Sequence, residues 1–306
     1  MENLSPSLFR RTSKLDLQQY LLEKRNLINH QLQSLVRDYS FPGRLQDAMH
    51  YSIEAGGKRL RPILLLATAE AFGANEQKAL AVASGLEMIH TYSLIHDDLP
   101  SMDDDDMRRG MPTSHKKFDE ATAILAGDAL LTLSSQVIAE DTELTAEQRI
   151  HLIRELSKAS GARGMVEGQM LDMQSENREI TLEELEYVHR NKTGRLLNFA
   201  VMAGAYIGDA SLEDMVEMEK MGEALGLIFQ IQDDILDITG DADKIGKPVG
   251  SDEGNHKSTY PKLLGLDGAK EQKEYYVRVA EQSLEKAGVN ESVLSELIDY
   301  LSRRDH

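Results

Sequence analysis

Two aspartate clusters are the residues of this chain best suited to bind cations. The first, DDLPSMDDDD at residues 97–106, places six carboxylates within ten residues, and the second, DDILD, occupies residues 233–237. Carboxylates this close repel one another and destabilise a fold unless positive charge lies among them. In a chain without cysteine, such oxygen ligands favour Mg2+, which binds one or two carboxylates and completes its shell with water and substrate phosphates. The clusters therefore predict a site for metal ions and a phosphorylated substrate.

Basic residues at spaced positions could supply the other half of such a site. They are Lys58, Arg61, Arg108, Arg109, Lys192, Lys247 and Lys257. The chain has a net charge of −18, so it would repel a diphosphate unless local cations reversed the field at the site. The same charge argues against nucleic acid as a partner. The pattern predicts an enzyme that handles diphosphates through metal ions.

The second cluster lies in an apolar segment, LGLIFQIQDDILD, at residues 225–237. Polar residues recur there with spacings of three and four, at Gln230, Asp233, Asp234 and Asp237. Side chains at these spacings are neighbours on a helix, so Asp233 and Asp237 can address one cation or its water shell. A solvated acidic face is the alternative, but the apolar residues around the stripe leave little polar surface for an exposed helix.

The first cluster also follows a predicted helix. His90 and Asp97 are seven residues apart and share a helix face, and Pro100 then interrupts the helix. Arg108 and Arg109 follow at once. Charge balance accounts for one arginine, whereas recognition of a phosphate accounts for both.

A third motif, GGKRLRP at residues 56–62, precedes a predicted helix. Proline favours the first helical position, so Pro62 predicts a helix start. Cations at a helix N-terminus oppose the helix dipole, whereas a bound anion satisfies both. The motif therefore predicts anion binding, with a solvated turn as the alternative. NKTG at residues 191–194 could likewise bring Lys192 to a phosphate, and Gln169 with Asp172 could lie near the metals or form a buried polar pair.

The elements that must position these residues are predicted to be helices. Aromatic content is only 5%, and helix-forming residues are abundant. Periodicity predicts helices over residues 14–37, 44–55, 62–72, 76–98, 120–140, 146–160, 182–207, 212–238, 268–287 and 291–302. No linker divides the chain, which predicts one domain over residues 1–306, and residues 240–260 have the composition of a long functional loop. Without cysteine, a signal-peptide pattern or an apolar run near ~20 residues, the sequence predicts a cytoplasmic protein without a membrane span.

Seven motifs in this order and spacing resemble the short-chain trans-prenyltransferases of the polyprenyl synthase family, and most closely the bacterial farnesyl diphosphate synthase type. They are GGKRLRP, IHTYSLIHDDLPSMDDDDMRRG, LAGDALL, GQMLD, NKTG, FQIQDDILD and HKSTYP. The resemblance covers residues 56–266. It implies an all-α bundle around a deep central cavity, assembled as a homodimer, with the aspartate motifs facing each other across the mouth.

The resemblance also implies roles for individual residues. Asp97, Asp103 and Asp233 correspond to ligands of Mg2+, of which three ions are expected and which Mn2+ could replace, with Asp98 and Asp237 in support. The positions that bind isopentenyl diphosphate are Lys58, Arg61, His90 and Arg109. Those around the allylic diphosphate are Arg108, Lys192, Thr193, Gln230, Lys247 and Lys257. Relatives often end in a basic residue near the isopentenyl site, and the ending Arg303-Arg304-Asp305-His306 departs from that pattern.

The implied reaction is ionisation of the allylic diphosphate, condensation with isopentenyl diphosphate and loss of a proton to the released diphosphate. Tyr92, five residues before Asp97, resembles the aromatic residue that closes the cavity floor in fifteen-carbon producers, as does the LPSM insert at residues 99–102. An ordinary core tyrosine is the alternative.

Other functions remain open at this point. A geranylgeranyl diphosphate synthase would differ only in cavity depth. A terpene cyclase is disfavoured because DDxxD is repeated, and a non-catalytic partner subunit because both motifs and the basic set are present. A simple acidic cation-binding protein leaves GGKRLRP and the arginine pair unexplained.

Overall fold

The computed structural model describes residues 17–175, 178–240 and 258–304. Within these ranges the chain is helical apart from one short hairpin, which confirms the all-α prediction. The helices are α1 (Leu17–Tyr39), α2 (Arg44–Glu54), α3 (Leu60–Ala71), α4 (Glu76–Asp97), α5 (Ser114–Lys117), α6 (Glu120–Ala139), α7 (Ala146–Ser160), α8 (Met165–Ser175), α9 (Leu182–His189), α10 (Arg195–Ile207), α11 (Leu212–Thr239), α12 (Tyr260–Lys286) and α13 (Val293–Arg303). Strands β1 (Met107–Arg108) and β2 (Met111–Pro112) pair antiparallel.

Several helical segments differ from the sequence prediction. Helix α8 was not anticipated, and the predicted helix over residues 182–207 contains a π-helical turn, Arg190–Gly194, between α9 and α10. Helix α12 begins at Tyr260, eight residues before its predicted start, because the Thr259 side chain caps the N–H of Lys262 and Pro261 suits the first turn. Its early part was overlooked since a non-helical Gly265 (φ 74°) interrupts the periodicity.

Helix α4 is the central element of the fold. It is apolar on nearly all sides, with buried residues in every turn from Ala79 to Ile95, and it packs against α3 and α6. A helix that is hydrophobic all round can be accommodated only inside a core. Asp97 therefore lies at the C-terminal end of a core helix.

The start of α3 corrects a prediction from the sequence. The helix begins at Leu60, so Pro62 is its third residue rather than its first. A proline is still tolerated there because first-turn N–H groups have no acceptor within the helix. Arg59 precedes the helix with a left-handed backbone (φ 53°), and its guanidinium donates to Glu87 Oε1 (2.7 Å) and Asn29 Oδ1 (2.9 Å). Tertiary contacts of Arg59 thus determine where α3 begins.

We expect Glu87→Ala to destabilise the fold by about 3–5 kcal/mol, because it leaves the buried Arg59 guanidinium without its charge partner. Both side chains of this ion pair are almost fully buried, at 2% and 3% exposure. Urea unfolding followed by circular dichroism measures the loss. Asp38→Ala is the matched control, since it removes an ion pair with Arg37 whose side chains are more than half exposed, and we expect it to change stability by about 0.5 kcal/mol or less. Equal effects of the two variants would contradict a structural role for the buried pair.

Helix α6 is, among the described residues, the one helix long and apolar enough to cross a membrane, with a mean hydropathy of 1.4. It packs against α4 and buries Ala126, Gly127 and Leu130 in the core. Core helices of water-soluble proteins pass the same test, so the finding is weak evidence for a membrane span.

Helix α13 brings the last described residue back into the bundle. Leu294, Leu297, Ile298 and Leu301 recur at helical spacing and are buried. Because this apolar face packs against α11 and α12, Arg304 follows it into the interior, where its guanidinium lies over the Phe229 ring at 4.1 Å from the centroid.

Candidate active site

A cavity of about 1050 Å3 opens between α3, α4, α8, the π-helical turn and α11. Most of the candidate residues line it, although they come from segments far apart in the sequence. They are Lys58, Arg61, His90, Tyr92, Asp97, Arg108, Arg109, Lys192, Thr193, Gln230, Asp233 and Asp237. Asp98 and Asp103 are adjacent to the lining rather than part of it, and Lys247 and Lys257 lie outside the described residues. The tertiary structure thus collects both acidic clusters and the basic residues around one cavity.

The first acidic cluster forms where α4 ends. Asp97 is the last helical residue, and the chain then turns back so that the Asp103 N–H donates to the Asp97 carbonyl oxygen (2.9 Å). Burial raises the pKa of Asp97 to about 6; nearby Lys192 counteracts this and the charge of Asp103 reinforces it. The ionised carboxylate of Asp97 is therefore under-compensated, which is the condition that a bound cation relieves.

Asp98 is buried and is not one of the residues that line the cavity. Arg108 reaches back to it from the hairpin of β1 and β2, with Nε 2.7 Å from Asp98 Oδ1. Arg108 also contacts Asp105 at 3.4 Å. Asp98 therefore orients Arg108, and the short hairpin explains how an arginine ten residues further along can lie beside the end of α4.

Arg61 and His90 form a pair deep in the cavity. Their nitrogens Nη1 and Nε2 are 3.3 Å apart. Burial and the neighbouring arginines, Arg61 first, hold the pKa of His90 well below its usual value. His90 is consequently neutral, and because a guanidinium only donates, Nε2 accepts the hydrogen bond from Arg61. This bond orients Arg61 without adding a competing charge.

Arg109 crosses to the glycine pair before α3. Its Nη1 donates to the carbonyl oxygen of Gly56, and a Cβ on Gly57 would lie 2.6 Å from the same nitrogen. Gly57 also has a positive φ of 126°. The glycines of GGKRLRP are therefore required for the close approach of an arginine as well as for the turn itself.

The π-helical turn presents Lys192 and Thr193 to the cavity. Lys192 Nζ is 2.5 Å from Asp172 Oδ2, and Thr193 Oγ1 donates to Gln230 Oε1 at 2.8 Å. Helix α8 approaches this turn so closely that a Cβ on Gly168 would lie 2.1 Å from the backbone nitrogen of Lys192. Gln169 and Asp172 both line the cavity, where Asp172 is paired with Lys192. Gly168 was missed, since a glycine inside GMVEGQMLD carries no local signal of close packing.

The aspartates of the second cluster diverge in direction. Asp233 is partly exposed and forms an ion pair with Arg304, while Asp237 is buried at the cavity wall. Asp234 instead turns towards α12, where its Oδ2 accepts the N–H of Tyr260 (2.9 Å) and lies 3.9 Å from His189 Nε2. Asp233 and Asp237 share the cavity as their spacing predicted, and Asp234 helps to hold α12 in place.

Arg304 is the main site residue that the sequence left in doubt. Its side chain is buried at the cavity, beside Asp233 and over Phe229. The only local signal was a basic residue directly after an amphipathic helix. Although the C-terminal residues differ from the pattern of the relatives, Arg304 provides a cation to the cavity.

Comparison with known proteins agrees with this arrangement. The sequence matches the polyprenyl synthetase family over residues 42–297. Among its relatives, a farnesyl diphosphate synthase of Geobacillus stearothermophilus is 50% identical over 96% of this chain and 100% of that protein. A chloroplastic geranylgeranyl pyrophosphate synthase of Catharanthus roseus is 42% identical over 97% of this chain and 84% of that protein. A solved geranyltransferase of Legionella pneumophila superposes with a TM-score of 0.83 at 33% identity, covering 94% of this chain and 97% of its own.

The chain belongs to the polyprenyl synthetase family. The resemblance drawn from the seven motifs is thereby confirmed, and with it the expectation of a prenyltransferase enzyme.

Proposed function

We propose that the chain condenses isopentenyl diphosphate with dimethylallyl and then geranyl diphosphate to make farnesyl diphosphate. The observation that carries the proposal is one cavity lined by aspartates of both acidic clusters, by basic side chains and by Tyr92, which lies five residues before Asp97 on α4. Several relatives whose sequences are about 50% identical to this chain are named farnesyl diphosphate synthases, which supports farnesyl diphosphate as the product.

Mg2+ is the metal that suits this set of oxygen ligands. Three ions are expected, and Mn2+ could replace them. Asp97, Asp103 and Asp233 would hold the ions, with Asp98 and Asp237 in support. Burial raises the pKa of Asp97 to about 6, and a cation bound beside it would stabilise the ionised carboxylate, which supports this assignment. Over the parts of the chain that the structure describes, no group of three or more His, Cys, Asp or Glu side chains is placed to hold a metal ion by itself. Mg2+ needs only one or two carboxylates when a diphosphate supplies further ligands. When bound, Mg2+ supplies Lewis-acid stabilisation of charge on the diphosphate oxygens.

The allylic diphosphate would be held by Arg108, Lys192, Thr193 and Gln230, together with Lys247 and Lys257 from outside the described residues. Its C–O bond breaks heterolytically, and the electron pair leaves with the diphosphate. Lys192 and Arg108 stabilise that developing charge, since each is already oriented by a carboxylate, Asp172 and Asp98 respectively. Preorganised charge of this kind acts without reorganisation at the moment of reaction.

Isopentenyl diphosphate would bind between Lys58, Arg61, His90 and Arg109, to which the structure adds Arg304 as a neighbouring cation. The electrons of its double bond form the new C–C bond to the allylic cation. The resulting cation then loses a proton to the released diphosphate, so the reaction requires no side-chain base. Neutral His90 contributes by orienting Arg61.

The assay is incubation of purified protein with Mg2+, isopentenyl diphosphate and geranyl diphosphate, followed by chromatography of the dephosphorylated products. We expect a fifteen-carbon alcohol as the main product. A mainly twenty-carbon product would support a geranylgeranyl diphosphate synthase instead. No condensation with any allylic primer would overturn the proposal and support a non-catalytic partner subunit.

We further propose one prenyltransferase domain over residues 1–306, a cytoplasmic location and a homodimer. The larger of the two clusters of buried apolar residues in the described part of the chain runs from Tyr20 in α1 to Leu301 in α13, which supports one domain. The outer face of α6 supports the dimer, because Ile124, Leu125 and Leu131 are 42%, 57% and 38% exposed on an otherwise apolar helix. Exposed apolar patches of this kind are typical of subunit interfaces.

Leu125→Glu should convert the dimer into a monomer, since it buries a charge in the proposed interface. Size-exclusion chromatography with light scattering measures the mass. Leu212→Glu is the control, as Leu212 is 87% exposed at the start of α11 and should leave the mass unchanged. A wild-type monomer, or a Leu125→Glu dimer, would contradict the assignment of this face.

A further inference from the structure

A second aromatic ring, that of His96, contacts Tyr92 at the cavity wall. His96, one helical turn nearer the C-terminal end of α4, lines the same cavity. The two rings meet edge to face, with centroids 5.7 Å apart and planes at 78°. Residues four apart on a helix are neighbours, and this perpendicular arrangement is a favourable one for aromatic rings.

Helix α6 determines the position of His96. Its Nε2 lies 3.0 Å from the carbonyl oxygen of Ile124, and a carbonyl only accepts, so Nε2 carries the proton and donates it. Asp128 Oδ1 lies 3.9 Å from the same nitrogen. Gly127 provides the space, because a Cβ there would lie 2.2 Å from Nε2. The imidazole is thus held by a hydrogen bond in a notch that only glycine leaves open.

We propose that His96 is a positioning residue for product length: it holds the Tyr92 ring across the cavity floor. The proposal rests on the proposed function, because it concerns the length of the prenyl chain that the cavity accepts. A tyrosine ring supported on its flank has fewer accessible rotamers. Without His96, the ring can turn into the vacated space between α4 and α6 and lengthen the cavity.

The experiment compares the twenty-carbon to fifteen-carbon product ratio of wild type, His96→Ala and His96→Gln, with geranyl and isopentenyl diphosphates. We expect the ratio to rise by about twofold to tenfold in both variants, the range to which one edge-to-face ring contact corresponds. Glutamine can still donate to Ile124 but has no ring, so its effect separates the ring contact from the hydrogen bond. Gly127→Ala should shift the ratio in the same direction by pushing His96 out of its notch.

The double variant Tyr92→Ala/His96→Ala tests whether His96 acts through Tyr92. If it does, the double variant has the same product ratio as Tyr92→Ala alone, as expected for coupled neighbours. A further shift in the double variant would make His96 a floor residue in its own right and overturn the proposal. So would an unchanged ratio in both His96→Ala and His96→Gln.

His151→Ala is the matched control. His151 stacks on Tyr206 with centroids 4.1 Å apart, outside the cavity lining, so its removal costs a comparable ring contact but should leave the product ratio unchanged. Circular dichroism establishes that each variant is folded. A wild type that makes no prenyl product would refute the proposed function, whereas a fifteen-carbon wild type with unresponsive His96 variants refutes only the role of His96.

Discussion

Turnover is expected to disappear when divalent cations are chelated, and to fall at least about a hundredfold in Asp97→Ala and in Asp233→Ala. Both carboxylates line the cavity, where they would hold the ions that stabilise charge on the departing diphosphate. The measurement is the steady-state rate of product formation at saturating isopentenyl and geranyl diphosphates, with Mg2+ restored after chelation. Full activity in chelator, or in Asp233→Ala, would overturn metal-assisted ionisation.

Asp106→Ala is the matched control within the first acidic cluster. Its carboxylate is exposed and paired with Lys116 at 2.7 Å, so its replacement should reduce the rate far less. The helical content of all three variants should match wild type, because neither Asp97 nor Asp233 contributes apolar packing. A general loss of helix would show that the aspartates support the fold rather than the reaction.

The raised pKa of Asp97 also predicts how the metal-free protein responds to pH. Its folded-state pKa of about 6 lies above the usual 3.8, because burial disfavours the carboxylate. The folded state therefore binds this proton more tightly than the unfolded state, and the contribution of Asp97 to stability declines as the pH rises from about 4 to above 6. Comparing denaturant midpoints of wild type and Asp97→Asn across this range isolates the effect. Parallel pH profiles of the two proteins would contradict it.

Tyr92→Ala should shift the main product from fifteen to twenty carbons or longer. Tyr92 lies five residues before Asp97, which is about 7.5 Å deeper along the helix, and its ring is buried at the cavity lining. Removing the ring deepens the space available to the growing hydrocarbon chain. Chromatography of dephosphorylated products with authentic standards measures the distribution.

Tyr206→Ala provides the comparison for this variant, since that tyrosine packs on His151 away from the cavity. It should retain the wild-type product. If wild type already makes mainly the twenty-carbon chain, or if Tyr92→Ala leaves the distribution unchanged, then Tyr92 is not the cavity floor.

Much of this protein could be read from local pattern alone. Helical periodicity located α4 and α11 within one or two residues. A helix that buries one face carries apolar residues three and four positions apart, and this spacing is visible in the sequence. The same rule put His90 with Asp97, and Asp233 with Asp237, on common faces, and the structure has all four at the cavity. The order of the motifs then identified the family, since each motif combines residue types that diphosphate and metal binding require together.

Tertiary structure alone decided the partners of the charged groups. Arg304 meets Asp233, Lys192 meets Asp172, and Arg59 meets Glu87, contacts whose sequence separations carry no periodic signal. These pairings depend on how helices pack, and packing is determined by shape at points such as Gly168, where a single methyl group would separate α8 from the π-helical turn.

The contrast is clearest within the second acidic cluster. Its spacing determined that the aspartates lie on one side of α11, but Asp234 turns to the N–H of Tyr260 while Asp233 turns to Arg304. Successive side chains on a helix are separated by about 100° of rotation, so two adjacent carboxylates face different neighbours. The partner of each carboxylate, Arg304 for Asp233 and the N–H of Tyr260 for Asp234, was decided by the elements that pack against α11.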